Sequence, residues 1–335
     1  MKEEEIRKRN IFNKYLELVE IDIKEFFDFN TFVKIPCPAC FCSDFKFEFN
    51  KHGFDYVSCK KCFTLYGNPR PTFKNLKSFY ANSPSTSFWI EKFFKPVAES
   101  RRVKIFKPRA EYISKTLPEL SEGQIGDIGS GFGLFLEEIA KFFPHVKSIA
   151  IEPSPRQAEI CRSKGLHVLC CALEEVKNLE GKFDLFTAFE LFEHLYDPYD
   201  FLNRVKVLLK PGGYFLMTTL NARGFDIQLL WEKSKSVFPP HHLNFFNPTS
   251  IRNLLKRLDF EIVEISTPGK LDWDIVEGMI LKENIHINRF WHMLAGNDNQ
   301  EVKEALQKWI TNNNLSSHMR ILVKKPRASV ISQLA

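Results

Sequence analysis

The sequence predicts an α/β chain, an open sheet with helices on both faces, preceded by a small metal-binding ribbon. Three observations predict it. A short strand runs into an apolar helix through the glycine-rich turn Asp127-Ile-Gly-Ser-Gly-Phe-Gly133. Strand and helix patterns then alternate as far as residue 220, which is the pattern of an α/β sheet. Upstream stand two C-x-x-C pairs, Cys37-Pro-Ala-Cys40 and Cys59-Lys-Lys-Cys62.

In chain order, residues 3–27 read as an amphipathic helical region with no evident purpose. The two cysteine pairs bracket Phe45-Lys-Phe-Glu-Phe-Asn50, which alternates like a strand, the turn His52-Gly53, and Phe54-Asp-Tyr-Val57. Two such knuckles at hairpin tips offer the thiolates of Cys37, Cys40, Cys59 and Cys62 tetrahedrally to one zinc. Four thiolates leave no open position, so the metal is expected to be structural; free thiols or a degenerate site are the alternative. Cys42 reads as a bystander, and Cys161, Cys170 and Cys171 as core packing on a helix and a buried strand. The aromatic and polar stretch from Tyr66 to Arg102 links ribbon to sheet, either as a lid over a polar substrate or as a packed linker.

The strand Gly123-Gln-Ile-Gly-Asp-Ile128 precedes a helix over 134–143. Glycines alternating across the turn leave the backbone room to approach a ligand. Asp127 at the strand's end awaits hydroxyl or amino donors. A dinucleotide fingerprint would need glycine at position 134 and meets Leu134, which favours a nucleoside ligand without a pyrophosphate. A second strand, 146–152, ends in Glu152, placed to accept both ribose hydroxyls of an adenosyl group. A helix over 154–164 has Pro155 in its first turn and Gly165 just past its end. Strands follow at 168–172 and 183–190, then a helix at 199–210 closed by Pro211-Gly212-Gly213, and a fifth strand at 214–220. A sixth strand at 259–267 and a last at 318–325 enclose an insertion, with helices expected at 273–280 and 299–311. The tail after Pro326 reads as flexible.

The glycine turn, Phe192-Glu-His-Leu-Tyr-Asp-Pro198 and Leu209-Lys-Pro-Gly-Gly-Tyr214 together resemble the ordered motifs of class I S-adenosylmethionine-dependent methyltransferases, over residues 104–325. The resemblance implies a Rossmann-like seven-stranded sheet whose last strand is antiparallel, and S-adenosylmethionine as cofactor. It implies cofactor contacts at Asp127, Gly129, Ser130, Gly131, Gly133, Glu152, Pro153, Ala172, Leu173 and Phe189, with Glu174 near the adenine. With its ribbon and its 66–102 stretch, the chain resembles bacterial methyltransferases associated with sugar or surface-polysaccharide modification. The acceptor so implied is a sugar carried on a nucleotide. The organisation expected is a helical segment 1–30, a zinc ribbon 31–72, a linker or lid 73–103, a methyltransferase domain 104–325 with a helical insertion at 271–316, and a tail 326–335.

Composition agrees. The chain has 335 residues, enough for one catalytic domain and a smaller module, and is 44% hydrophobic, enough for a full core. Its net charge of +6 is spread along the chain rather than clustered. Residues 1–9 carry no apolar signal core and no apolar run approaches membrane-spanning length, so no membrane insertion is expected. Eight cysteines without a secretory signal point to a reducing cytoplasm.

Ligands of open α/β sheets lie outside the carboxyl ends of the strands. Two polar segments leave such ends: 190–197, and 221–247 with Pro239-Pro-His-His-Leu-Asn-Phe-Phe246. Asn247 reads as a helix N-cap with Pro248 at the first position, so the histidines lie in a loop. Methyl transfer from a sulfonium mainly demands placement of the acceptor, and a base helps where the acceptor is a hydroxyl. His242 is the first candidate base and His194 the second, with Glu193 beside them and His241 and Asn244 as substrate contacts. The structural alternatives are that Glu193-His194 buttress the cofactor loop and that His241-His242 cap the next helix.

Two other functions fit parts of the sequence. An RNA methyltransferase would grip its substrate with Lys60, Lys61, Arg70, Lys74 and Lys77, but Asp44, Glu48 and Asp55 share the ribbon and no stacking cluster is evident, so no nucleic acid is expected. A non-catalytic cofactor-binding scaffold is opposed by the intact Asp127, Glu152 and glycines.

Overall fold

The computed structural model describes residues 2–120 and 122–327. Its first hairpin joins β1 (Phe45–Lys51) to β2 (Phe54–Cys59). The turn residues His52 and Gly53 have φ of 49° and 87°, two left-handed residues whose twist suits a tight hairpin. β3 (Leu65–Gly67) pairs antiparallel with β2.

The larger sheet contains β4 (Gln124–Ile128), β5 (Lys147–Ile151), β6 (His167–Leu169), β7 (Phe183–Phe189) and β8 (Leu209–Leu220). After the two-residue β9 (Asn244–Phe245), the sheet is completed by β10 (Glu261–Ser266) and β11 (His318–Lys324). The order is β10-β11-β8-β7-β4-β5-β6. β4 to β8 pair parallel, and β11 lies antiparallel to both neighbours. This is the seven-stranded Rossmann-like sheet with a reversed last strand. Because the strands are covered on both faces, β7 and β8 read as nearly continuous apolar runs. Ile125, Leu185, Leu216 and Leu322 face the helices Lys107–Thr116, Leu134–Ile139 and Pro155–Ser163. Phe186, Met217 and Ile321 face Pro198–Leu208 and Pro248–Arg257. Strand order reverses between β4 and β7, which opens a crevice at their carboxyl ends.

Several elements depart from expectation. β8 begins at Leu209, which pairs with Phe183, so Pro211-Gly212-Gly213 is an irregularity inside the strand rather than a stop before it; Gly212 takes φ 83° there. β6 ends at Leu169, which leaves Cys170 exposed and corrects its reading as core, whereas Cys161 is fully buried and Cys171 half-buried. The 66–102 link is largely helical. Phe73–Asn82 forms one helix, and 84–116 is continuous, with π-helical segments at Trp89–Phe94 and Arg102–Phe106. Each π segment comes just before a proline, Pro96 and Pro108. Proline has no N–H and clashes with the carbonyl one turn back, and a widened turn lets the helix pass it without breaking. The insertion holds three helices, Asp272–Glu283, Arg289–Ala295 and Gln300–Asn312, of which the middle one was unforeseen. The flexible reading of the tail falls largely on 328–335, outside the described residues. Among the described residues, no helix is long and apolar enough to cross a membrane.

The N-terminal helix Arg9–Phe26 has a definite place. It buries Phe12, Tyr15, Val19 and Ile23, at helical spacing, against Phe54 and Tyr56 of the ribbon, Phe79, and Phe238 and Leu243 of the loop after β8. The ribbon is equally joined to the sheet. β9 pairs antiparallel with β3, giving a second sheet of order β1-β2-β3-β9.

Gly126 in β4 tests the central packing. A Cβ there would lie 2.3 Å from the ring of Phe186 and 2.9 Å from that of Phe183. Those rings are fully buried with centroids 4.2 Å apart, so neither can yield. Gly126→Ala is expected to cost about 1–3 kcal/mol by overpacking, read as a lower denaturant midpoint at unchanged slope.

Candidate active site and metal centre

The two knuckles are built alike. In each, the first cysteine's N–H donates to a carbonyl five residues on (Cys37 to Cys42, Cys59 to Thr64, both 2.9 Å), and its own carbonyl accepts from Phe41 or Phe63. Those phenylalanines turn the chain with φ of 58° and 59°. The sulfurs of Cys37 and Cys62, and of Cys40 and Cys59, stand 3.5 Å apart, and all four lie within 4.8 Å of one another. Zinc at about 2.3 Å from each of four tetrahedral sulfurs sets them about 3.8 Å apart, so the group fits zinc. The Cys62 thiol is drawn down to about 5, first by the Cys37 thiol donating to it. Cys42 stays aside, its sulfur accepting from the Asp44 N–H.

At the carboxyl end of β4, Gly129, Gly131 and Gly133 all take left-handed φ, 69°, 56° and 69°. Gly129 N–H donates to Ile151 at the end of β5 (2.8 Å), and Ser130 Oγ to the Asp127 carbonyl (2.6 Å). A Cβ at Gly133 would meet Leu166 at 2.3 Å, whereas one at Gly131 would meet only Gln157, at 3.5 Å, and otherwise open space. The Glu152 carboxylate accepts from Gly131 N–H (2.8 Å) and Ser154 N–H (2.9 Å). Asp127 accepts from Thr187 Oγ1 at 2.6 Å. Burial pushes both acids up to about 7. Phe189 packs edge-on against Phe135 and carries the Arg109 guanidinium on its face. Ala172 is half-buried, Pro153 exposed and Leu173 a core residue.

A second cluster lies over the ends of β7 and β8. Glu190 leaves β7 with φ 53°, a strained conformation for a carboxylate residue, and accepts from Arg109 (2.6 Å) and Thr218 (2.7 Å). Glu193 and His194 occupy the 3-10 turn Phe192–His194. Glu193 accepts from Thr219 Oγ1 at 2.8 Å, and its carbonyl accepts from Leu243 N–H at 2.9 Å. That bond brings the loop after β8 alongside, with the His194 and His242 rings 4.7 Å apart and nearly perpendicular. His242 Nδ1 lies 2.6 Å from the Ser236 carbonyl. A carbonyl can only accept, so Nδ1 carries the proton and Nε2 is bare. Tyr80 OH reaches His194 Nδ1 (3.3 Å), and Tyr15 OH reaches His241 Nε2 (2.8 Å).

Burial shapes these groups. It pulls His242 down to about 4 and His241 to about 3, and His194 well below the usual histidine range. Glu193 is pushed up by burial and by the charge of Glu190. Glu190 is held down against its own burial by His318 and Arg109. The imidazoles are therefore neutral at pH 7 and weaker bases than the free residue.

Asn244 has a different place from the one expected. Its Oδ1 accepts from Arg70 (2.9 Å) and its Nδ2 donates to the Leu195 carbonyl (2.7 Å), so both ends are engaged in holding the loop. His241 lies in an aromatic wall, stacked on Phe238 and edge-on to Phe79. It does not cap the following helix, which Asn247 caps by itself. Tyr15, Tyr80 and Thr219 were missed by sequence reasoning because nothing local separates them from other apolar-face or strand residues. Arg70, a nucleic-acid contact in the RNA methyltransferase reading, is fully buried, which removes it from any such surface.

The sheet order, the glycine cradle and the polar cluster above them define an S-adenosylmethionine-dependent methyltransferase. Residues 98–265 match the methyltransferase-domain family, and the chain belongs to it. Over 171 residues it is 27% identical to the ubiquinone biosynthesis O-methyltransferase of Xanthomonas oryzae, covering 47% of this chain and 70% of that one. The corresponding enzyme of Xylella fastidiosa is 32% identical over 120 residues, covering 34% and 48%. Among solved structures, the plantazolicin methyltransferase BpumL with SAH aligns at TM-score 0.49 and 16% identity, covering 75% of this chain and 94% of that one. A possible histamine N-methyltransferase from Thermotoga maritima aligns at 0.44 and 22%, covering 69% and 96%.

Cobalt(II) loaded in place of zinc is expected to give thiolate-to-metal charge-transfer absorption, and Cys59→Ser to lose it. Wild-type protein without those bands would contradict the four-thiolate site.

Proposed function

We propose that the chain transfers a methyl group from S-adenosylmethionine to a hydroxyl of a small polar acceptor, a sugar carried on a nucleotide. One observation carries the reading. Glu193, His194 and His242 gather over the ends of β7 and β8, in a cluster whose loop after β7 also reaches the glycine turn, Leu191 lying 3.5 Å from where a Cβ at Gly129 would stand. The bacterial subgroup that the chain resembles supports the sugar, and the names of its ubiquinone-pathway relatives support oxygen as the acceptor atom.

S-adenosylmethionine supplies an electrophilic methyl on a sulfonium, lost to the acceptor oxygen by in-line displacement. Gly129, Ser130, Gly131 and Gly133 would give its amino-acid part a close backbone approach. Asp127 and Glu152 would accept from its amino and hydroxyl donors, and Pro153, Ala172, Leu173 and Phe189 would border the rest. The residues fit, since a Cβ at Gly131 would occupy open space and both acids retain lone pairs beyond their present bonds. On the acceptor side, the bare Nε2 of His242 takes the hydroxyl proton as the new bond forms, and His194 and Glu193 orient the oxygen. Tyr80 holds the His194 ring from outside, and Tyr15 holds the neighbouring His241. Burial makes His242 a weak base, so positioning carries much of the rate.

Two variants separate the halves of the site. Gly131→Val puts a β-branched residue at φ 56°, strained for any L side chain, and fills the open space. It is expected to abolish S-adenosylmethionine binding in calorimetry, and wild-type protein that bound NADH instead would overturn the cofactor reading. His242→Ala is expected to lower methyl transfer about 100- to 10,000-fold at nearly unchanged cofactor affinity. Full turnover in the folded variant would remove His242 from the mechanism.

A further inference from the structure

Glu193, His194 and His242 share a property the transfer reaction alone does not require. Each holds part of its polar edge in an outward hydrogen bond and keeps another donor atom free. Glu193 is held by Thr219 Oγ1, His242 by the Ser236 carbonyl through Nδ1–H, and His194 by Tyr80 OH at Nδ1. One donor atom from each of the three lies within 4.8 Å of the others. The Leu243 N–H to Glu193 carbonyl bond ties the two ligand-bearing segments together. Metal-binding imidazoles and carboxylates are held in this way by partners on their far side, which fix tautomer and ring orientation before the ion arrives.

We propose that Glu193, His194 and His242 form a divalent-cation site, distinct from the four-cysteine centre, with open positions facing the acceptor. Two imidazoles and one carboxylate suit a first-row transition ion such as Mn²⁺, Co²⁺ or Zn²⁺ rather than Mg²⁺. The ion balances the neighbouring carboxylates of Glu190 and Glu193, and Glu190 stays on Arg109 and Thr218. Its binding stands on geometry alone; its use in the reaction rests on the acceptor reading above. With the ion bound, His242 Nε2 would be a ligand in place of the base, and an acceptor hydroxyl in an open position would lose its proton more readily to solvent, because a bound cation lowers the pKa of an attached oxygen acid.

The test is Mn²⁺ binding to the full-length, zinc-loaded chain, followed by the electron paramagnetic resonance of free Mn²⁺, since a hard ion discriminates against the thiolate site. One Mn²⁺ per chain is expected, weakened tenfold or more in Glu193→Gln and His242→Ala and about 10- to 100-fold in Thr219→Val. Selective broadening of the His194 and His242 ring signals by Mn²⁺ in the wild-type protein is expected independently of any variant. Failure of the wild type to bind Mn²⁺ or Co²⁺ beyond the ribbon, or wild-type affinity in folded Glu193→Gln and His242→Ala, would overturn the site. If those variants do not fold, unbroadened ring signals would overturn it. No acceptor enters the measurement, so a wrong sugar leaves it intact, and absent Mn²⁺ binding leaves methyl transfer intact.

Discussion

The pairing of β3 with β9 is the contact on which the acceptor side depends. Leu65 faces Phe245 and Tyr66 faces Asn244, so a ribbon strand and the loop after β8 become one sheet. Arg70 locks the seam. Its guanidinium donates to the carbonyls of Gly67, Tyr196 and Leu243 and to Asn244 Oδ1, joining ribbon, the loop after β7 and the loop after β8. Burial lowers its pKa only to about 10, so it remains charged. A buried guanidinium is costly to desolvate, and its hydrogen bonds to three backbone carbonyls and the Asn244 amide oxygen offset that cost. Asn247 extends the seam to the second knuckle, donating to the carbonyls of Cys62 and Phe63. Metal at the knuckles would therefore act on catalysis through position: it would hold the strands that hold His242.

The N-terminal helix closes the same region from above. Tyr15 sits among Trp89, Phe93, Phe238 and His241, and spends its hydroxyl on His241. Burial of these rings dries the surroundings of the imidazoles, which is the cause of their lowered pKa values. Three chain regions far apart in sequence thus meet in one enclosed polar cluster. The cofactor side has its own support, since the glycine turn bonds to Ile151, Glu152 and Ser130 at the ends of β4 and β5.

Much of this was legible in the residues. The strand, turn and helix at 123–143, the Asn247-Pro248 cap and the two knuckles each carry a local chemical reason for their shape, and local reasons can be read without coordinates. Failures came where tertiary context decided. The aromatic and polar stretch 66–102 read as a lid or a packed linker, yet it is largely helical, with widened turns that admit Pro96 and Pro108. Pro211-Gly212-Gly213 argued for a stop, yet β7 captured Leu209 ahead of it. Asn244 and Arg70 looked like ligand and surface charge, and only the β3–β9 seam shows them spent on each other. No sequence period could have placed Tyr15 on His241, 226 positions away.

Amide hydrogen exchange in Arg70→Leu, compared with the wild-type chain, tests most directly whether the ribbon holds the acceptor loop. Peptides covering 65–67 and 241–247 are predicted to exchange faster, because the oxygens that Arg70 satisfied are left without donors at about 1–3 kcal/mol each, while 124–151 keeps its protection. Unchanged protection across 241–247 in a folded variant would contradict the account.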